Sequence, residues 1–184
     1  MKIAVAAVLI LLLCGCSGKN EELDRAMALR AQLLGHDCSF DADITADYGD
    51  SLYTFSVYCE GDNLGDLGFE IQSPETISGI TGQVSSKGGK LTFDDAALTF
   101  PLLADGQVTP VSAPWLVLKT LQGGYLTSAG MEDDQLRLTI NDSYEEDALQ
   151  LDIWLDGDDK PAQAEILYDG RRILTVSISN FQIS

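Results

Sequence analysis

The side chains best suited to chemistry in this 184-residue chain are its four cysteines and its single histidine, His36. Cys14 and Cys16 follow an apolar N-terminal run, whereas Cys38 and Cys59 lie in the body of the chain. Two cysteines and one histidine are too few soft ligands for a zinc-type metal site. His36 stands between a predicted helix and the first predicted strand, where we expect a capping or surface role rather than general-base catalysis. The chain has no Gly-x-Ser-x-Gly sequence and no phosphate-binding loop, so we expect no enzyme, cofactor or metal site.

The N-terminus has the parts of a bacterial export signal. Lys2 precedes the apolar run 3–13, which is shorter than the about 20 residues needed to span a bilayer. The sequence Leu13-Cys14-Gly15-Cys16 that ends the run resembles the lipobox, whose last cysteine receives a diacylglycerol and becomes the new N-terminus. The resemblance implies a signal peptide over 1–15, a lipid with palmitate-type chains on Cys16 and a tether over 16–20. We therefore expect an extracytoplasmic protein that is anchored to the bacterial cell membrane by its lipid.

The cysteines of the body of the chain lie in two alternating segments, 38–46 and 52–59, joined by a turn-like sequence, 47–50. A hairpin folded about Tyr48-Gly49 places Cys38 opposite Cys59. It also matches apolar residues on the inner face, in the pairs Ile44/Tyr53, Ala42/Phe55 and Phe40/Val57. In an exported protein this register predicts a Cys38–Cys59 disulfide, which would stabilise the fold by roughly 3 kcal/mol. Two buried reduced thiols are the alternative.

The charge balance of 11 basic against 29 acidic residues gives a formal net charge of −18. Such a surface repels nucleic acid and anionic headgroups, so neither is an expected partner, and membrane attachment depends on the lipid. Asp156, Asp158 and Asp159 around Gly157 resemble the start of a calcium-binding loop, but the downstream glycine and bidentate glutamate are absent. A solvated hairpin is the expected structure there.

Hydrophobic residues make up 45% of the chain, which is enough for one folded domain with a core. An apolar stripe predicts an amphipathic helix over 21–34. Ser112-Ala113-Pro114 predicts the start of a second, strongly apolar helix that ends at Gly123-Gly124. Alternation and turn signals predict strands at 38–46, 52–60, 66–73, 79–86, 89–95, 97–102, 125–130, 134–142, 148–156, 161–169 and 171–182.

Short connections between these strands predict an antiparallel meander. We expect an α+β fold, mainly antiparallel β, in which a strongly curved open half-barrel of about ten strands carries two helices on its concave face. A helix that is apolar nearly all round must be covered, and the inside of the curved sheet is the natural place for it. The single domain is expected to span residues 21–184.

Several local sequences are similar to those of a known family. They are 71–80 (IQSPETISGI), 113–118 (APWLVL), 154–166 (WLDGDDKPAQAEI) and 175–181 (TVSISNF). Together with the lipobox and the order of helices and strands, they resemble the LolA/LolB-like superfamily of lipoprotein carriers and receptors, which includes the LprG/LppX-like lipoproteins. The resemblance implies an unclosed barrel whose hydrophobic cavity accepts acyl chains. The anchor on Cys16 favours a membrane-tethered acceptor, lipid handler or sensor over a freely diffusing carrier.

The candidate cavity residues are apolar side chains of the predicted strands and the second helix, each of which could equally belong to an ordinary core. They are Phe55, Phe93, Phe100, Trp115, Leu118, Leu121, Ile153 and Trp154. The sequence thus predicts a non-catalytic, monomeric lipoprotein that binds a lipid, an acyl chain or another lipoprotein. The alternative is an envelope scaffold or regulatory lipoprotein that acts through protein contacts and has a filled core.

Overall fold

Eleven antiparallel strands form one open, curved sheet in the computed structural model, which describes residues 20–94, 96–104 and 107–184. The predicted signal peptide, the lipidation site Cys16 and most of the tether lie outside these residues. A separate two-stranded ribbon joins residues 103–104 and 107–108. In the described ranges, no helix is both long enough and apolar enough to cross a bilayer.

The two helices are α1 (Glu21–Gly35) and α2 (Ala113–Gly123). Every predicted strand is present, with ends within two residues of those predicted, so the predicted half-barrel class is confirmed with eleven strands rather than about ten. The ribbon was not predicted, because two residues per strand are too few to show alternation. The strands are β1 (Cys38–Asp47), β2 (Leu52–Gly61), β3 (Leu67–Ser73), β4 (Thr81–Ser85), β5 (Gly88–Phe93), β6 (Ala96–Phe100), β7 (Leu103–Ala104), β8 (Gln107–Val108), β9 (Tyr125–Glu132), β10 (Gln135–Asn141), β11 (Gln150–Leu155), β12 (Pro161–Tyr168) and β13 (Arg171–Ile183). The order in the sheet is β6-β5-β4-β3-β2-β1-β13-β12-β11-β10-β9, and β7 and β8 form the ribbon.

The sheet buries one face because its strands alternate. In β1, Cys38, Phe40, Ala42, Ile44 and Ala46 are buried, and the residues between them face outwards. β1 pairs with β13 as well as β2, which joins the two halves of the meander into one sheet. The buried residues of both halves and of both helices form one core.

The register of the β1–β2 hairpin differs from the predicted one by two residues. Phe40 lies opposite Cys59, and Cys38 lies opposite Gly61. The turn is centred on Gly49-Asp50 because the Asp47 carboxylate accepts the N–H of Gly49 at 2.8 Å, and Gly49 has φ +88°. A shift of two residues keeps every apolar side chain on the inner face, so alternation alone could not choose between the two registers.

The new register corrects the disulfide prediction, because Cys38 and Cys59 are free, buried thiols. They are diagonal rather than direct neighbours, and diagonal Cα atoms lie about 7–8 Å apart. A disulfide usually needs about 4.4–6.8 Å. Burial raises the pKa of Cys38 to about 11, and burial likewise raises the pKa of Cys59. The alternative of two buried reduced thiols therefore describes the structure.

Polar contacts from buried side chains fix α2 inside the curve of the sheet. The Trp115 indole N–H donates to the Gly65 carbonyl at 2.7 Å, and the Gln122 amide donates to the carbonyls of Leu33 and Asp62. Arg30 of α1 donates to the Leu121 carbonyl at 2.8 Å and to the Gly124 carbonyl at 2.9 Å. Arg30 thus supplies a partner to the Leu121 carbonyl in the last turn of α2 and to the Gly124 carbonyl just beyond it.

Candidate ligand-binding surface

The space beneath α2, where sequence analysis placed a cavity, is filled by side chains. Trp115 and Leu118 are each 1% exposed, Leu121 is 4% exposed, and Ile153 of β11 is fully buried. α2 packs against β2, β10, β11 and β13, which belong to both halves of the sheet. A ligand could enter this region only by displacing side chains that now form the core.

Hollows on the surface of the described residues include five with volumes from about 300 to about 590 Å³. Leu118, Leu121 and Ile153 line none of these five. The largest lies over β2 to β5 and is lined mainly by outward side chains such as Tyr58, Glu70 and Lys90. The lining of these hollows is divided about equally between polar and apolar surface, whereas a small-molecule site is usually lined mainly by apolar side chains.

An apolar surface is open instead on the inner face of β5 and β6. One row of paired residues crosses six neighbouring strands on this face: Phe40, Cys59, Phe69, Gly82, Leu91 and Leu98. The first three are buried, Leu91 is partly buried, and Leu98 is 65% exposed. The same inner face therefore changes from core to open surface towards the β6 edge.

Phe93 and Ala96 extend this open surface by a second cross-strand pair. Phe93 is 53% exposed, and it shares the face of Leu91 because the two residues are two positions apart in β5. We call the surface formed by Leu91, Phe93, Ala96 and Leu98 the open arm. Exposed apolar residues that lie side by side are unusual on a soluble domain and mark a place where an apolar partner can bind.

Two glycines shape the inner face around the open arm. A Cβ on Gly82 would overlap the ring of Phe69, and a Cβ on Gly89 would overlap the ring of Phe100. Each aromatic ring therefore lies flat on the backbone of the neighbouring strand. The result is a smooth apolar floor with little depth, which suits a flexible chain lying along it better than a compact ligand.

The chain after β6 limits the open arm on the side of the helices. It turns back at the 3-10 turn Pro110–Ser112 before entering α2. The Tyr48 hydroxyl, on the β1–β2 loop, donates to the Val108 carbonyl, and Thr109 donates its N–H to the Leu102 carbonyl at 2.8 Å. Burial raises the pKa of Tyr48, which therefore keeps its donor proton at neutral pH.

The structure divides the eight candidate cavity residues into three groups. Trp115, Leu118, Leu121 and Ile153 belong to the core beneath α2. Phe93 belongs to the open arm, whereas Phe55 and Phe100 are half-buried and pack against the core. Trp154 lies on the outer face, since it is adjacent to Ile153 in β11.

Trp154 therefore does not join the other seven candidates. Its indole N–H donates to Glu132 at 2.9 Å, and the Arg137 guanidinium lies 5.2 Å from the ring centre. Arg137 also forms an ion pair with Asp152, which is almost fully buried on this outer face. This cluster stabilises the outer side of β9 to β11 and has no connection with the inner face.

Leu91 and Leu98 were missing from the sequence-based candidates. Both alternate with the phenylalanines that were included, in the pairs Leu91/Phe93 and Leu98/Phe100. The prediction favoured the larger aromatic residues, although each leucine stands two positions away from one of them. Period-two alternation would have placed all four side chains on one face.

The acidic residues and the histidine that the sequence singled out have local backbone or side-chain partners in the described part of the chain. No group of three or more His, Cys, Asp or Glu side chains there could hold a metal ion. Asp156 accepts the backbone N–H groups of Asp158 and Lys160, and Asp159 binds Arg25 at 2.7 Å. The acidic segment 156–160 is thus a capped hairpin turn, as predicted.

His36 is exposed, with Nδ1 3.2 Å from the Gln32 carbonyl oxygen at the end of α1.

The chain matches no family model and no curated protein. Solved structures that it resembles include a LolA superfamily protein from Nitrosomonas europaea, with 9% identity and a TM-score of 0.44 over 86% of this chain and 93% of that one. The lipoprotein LppX from Mycobacterium tuberculosis has 13% identity and a TM-score of 0.41 over 88% and 93%. LprF from Mycobacterium bovis has 10% identity and a TM-score of 0.42 over 88% and 92%. The likeness concerns the fold alone.

Proposed function

We propose that this chain is an extracytoplasmic lipoprotein, anchored through Cys16, that binds an acyl chain of a lipid or of another lipoprotein along the open arm. The observation that carries the proposal is the exposure of Leu98 and Phe93 on the same inner face that is buried elsewhere in the sheet. Binding requires no covalent step, because removing apolar surface from water is sufficient to hold a flexible chain.

The open arm has the chemistry of an acyl-chain site. Leu91, Phe93, Ala96 and Leu98 contribute no hydrogen-bonding side chain, so a methylene chain leaves no polar group unsatisfied. Each buried methylene contributes about 0.8 kcal/mol before the cost of ordering the chain. A long chain along a shallow floor can therefore bind reversibly, which suits transfer or sensing of a lipid.

The proposed lipid anchor would hold the domain next to the membrane, which contains acyl chains. A tether over 16–20 reaches at most about 18 Å when fully extended. α1 begins at Glu21, so its N-terminus would stay close to the bilayer surface. The net charge of −18 gives the domain no attraction of its own for anionic lipids, and the lipid on Cys16 supplies the attachment.

A second candidate function is that of an envelope scaffold or regulatory lipoprotein that contacts other proteins. The burial of every apolar side chain of α2 favours it, because these side chains occupy the interior of the half-barrel. In that case the open arm would be covered by a protein surface rather than by an acyl chain.

The test compares two neighbouring substitutions that add the same charge on opposite faces of β6. Leu98→Lys places an ammonium group on the open arm, whereas Thr99→Lys places it on the outer face. Binding of a fluorescent long-chain fatty acid to the purified protein is measured by titration. We expect Leu98→Lys to weaken binding at least about tenfold and Thr99→Lys to leave it unchanged. Equal affinities for the two variants, or no binding by the unmodified protein, would reject the proposal.

A further inference from the structure

β9 is a free edge of the sheet, at the opposite end from the open arm. It spans Tyr125–Glu132 and pairs with β10 alone. Among the described residues, its backbone makes no hydrogen bond to any other strand or loop. One side of β9 therefore presents unpaired N–H and C=O groups, which another extended chain could pair with.

The hairpin turn identifies which backbone groups face the free edge. Asp133 and Asp134 have φ angles of 46° and 66°, as in a two-residue type I′ turn. In such a hairpin the closing pair, Glu132 and Gln135, is hydrogen-bonded, and pairs alternate along the strands. The N–H and C=O groups of Met131 and Ala129 consequently point away from β10. These two residues can receive the backbone of an added strand.

The sequence of β9 before Glu132 lacks the charged residues and prolines that usually prevent strand addition, although α1 contacts β9 and the β9–β10 register is irregular at Thr139/Ile140. Tyr125–Met131 contains no charged residue and no proline, although 22% of the whole chain is charged. Natural edge strands commonly carry lysine, proline or an inward charge, which make pairing with another chain unfavourable. The absence of these features over seven residues leaves β9 open to a partner.

Both ends of β9 are strongly acidic. Glu132, Asp133 and Asp134 stand at the turn, and the exposed residues 145–147 (Glu, Glu, Asp) stand at the start of the strand. The ring of Tyr144 contacts that of Tyr125 at an interplanar angle of 38°, with centroids 3.4 Å apart, which holds the acidic loop beside the strand. Of these acidic side chains, Glu132 alone forms an ion pair within the described residues, and its partner is Arg137.

We propose that β9 is a docking edge for an extended segment of another protein, with about seven uncharged residues between basic residues at each end. The backbone of the segment pairs with Ala129 and Met131, and its basic ends face the two acidic groups. A second copy of this chain is a poorer partner. Antiparallel pairing of two β9 strands would bring the acidic turn of one copy beside the acidic loop of the other.

The experiment uses a synthetic peptide of seven alternating Thr and Val residues between paired lysines, matched in length to the uncharged part of β9. Binding to the full mature protein is measured by fluorescence anisotropy. Ala129→Pro removes an N–H that faces the edge while keeping the hydrogen bonds to β10. An N-methylated peptide serves as the control that leaves the protein unchanged, because its pairing N–H groups are blocked.

We expect the lysine-ended peptide to bind the unmodified protein, and binding to be lost with Ala129→Pro and with the N-methylated peptide. Asp133→Asn with Asp134→Asn keeps the turn, since Asn adopts positive φ readily, and should weaken binding severalfold. A peptide with glutamate ends should not bind. Equal binding of the N-methylated peptide, equal binding of the glutamate-ended peptide, or a dimer of the protein through β9 would overturn the proposal.

Discussion

Trp115 donates its indole N–H to the carbonyl oxygen of Gly65 across 2.7 Å, and this hydrogen bond ties α2 to the β2–β3 turn. The indole is 1% exposed, and the Lys119 ammonium lies 5.0 Å from the ring centre. Gln122, two turns further along α2, donates to the carbonyl of Asp62 in the same turn. The helix that fills the half-barrel is thus fixed by polar contacts as well as by packing.

Trp115→Phe should destabilise the protein by about 2–4 kcal/mol, because it leaves the Gly65 carbonyl without its donor and creates a small cavity. Chemical denaturation followed by circular dichroism measures the change. Trp154→Phe is the matched control, since that indole also donates one hydrogen bond but lies on the outer face. Its effect should be below about 1 kcal/mol. Similar losses for the two variants would contradict the role given to α2.

Arg30→Lys should destabilise the protein by about 1–3 kcal/mol, although the charge is kept. The guanidinium reaches the carbonyls of Leu121 and Gly124 together, and a single ammonium group cannot reproduce that geometry. Arg172→Lys is the control, because Arg172 pairs with Glu165 on the exposed outer face. The urea midpoint of the Arg30→Lys variant should lie clearly below that of the Arg172→Lys variant. Equal midpoints would show that Arg30 does not join the helices.

The cysteine pair predicts the reactivity of the folded protein. Cys38 and Cys59 are buried and free, so a thiol reagent at pH 8 should label neither in the native protein. After denaturation without a reductant, both should react. Absence of labelling in the denatured protein would mean that the two cysteines are joined by a disulfide.

The same thiols predict a loss of stability in alkaline solution. The pKa of Cys38 is raised from an ordinary value of 9.0 to about 11, so the folded state keeps the proton that the unfolded state releases. The contribution of Cys38 is complete below pH 9.0 and is lost between 9.0 and about 11. We expect a fall of about 1–3 kcal/mol across that window, and a smaller fall in the variant with Cys38→Ala and Cys59→Ala. If the unmodified protein and the double variant lost the same stability between pH 9.0 and about 11, the burial of the two thiols would be contradicted.

Cys16→Ala should release the protein from membranes without changing the fold of residues 20–184, because the expected lipid lies outside the domain. Cys14→Ala is the matched control: it stands two positions earlier and should remain membrane-bound. Fractionation of cells that express each variant gives the result. If Cys16→Ala stayed in the membrane fraction after cleavage of the signal, the lipidation site would be wrong.

Alternation predicted all eleven strands of the sheet because its residues are apolar on one face and polar on the other. The β1–β2 register was not predictable in the same way. Phe40 opposite Val57 and Phe40 opposite Cys59 both bury apolar pairs, and the choice depends on the Asp47 contact within the turn. Local hydrogen bonds of this kind decide registers that hydrophobic pattern leaves equal.

The sequence also could not predict that the exposed apolar surface is the open arm. Trp115, Leu118 and Ile153 have the composition expected of a cavity wall, and only the packing of α2 across both halves of the sheet shows that they fill the space themselves. Phe93 was identified as a candidate, but the sequence did not show that β5 and β6 extend beyond the helices. That property depends on strand order and helix placement, which are tertiary features.

The most direct test of an acyl-chain site on the open arm is covalent mapping. A fatty acid with a photoreactive diazirine near the end of its chain is bound to the protein and irradiated, and mass spectrometry locates the labelled residues. We predict that labels concentrate in β5 and β6, around Leu91, Phe93 and Leu98, and that unlabelled fatty acid suppresses them. Labels concentrated on Leu118, Leu121 and Ile153 beneath α2, or spread evenly over the surface, would contradict the account.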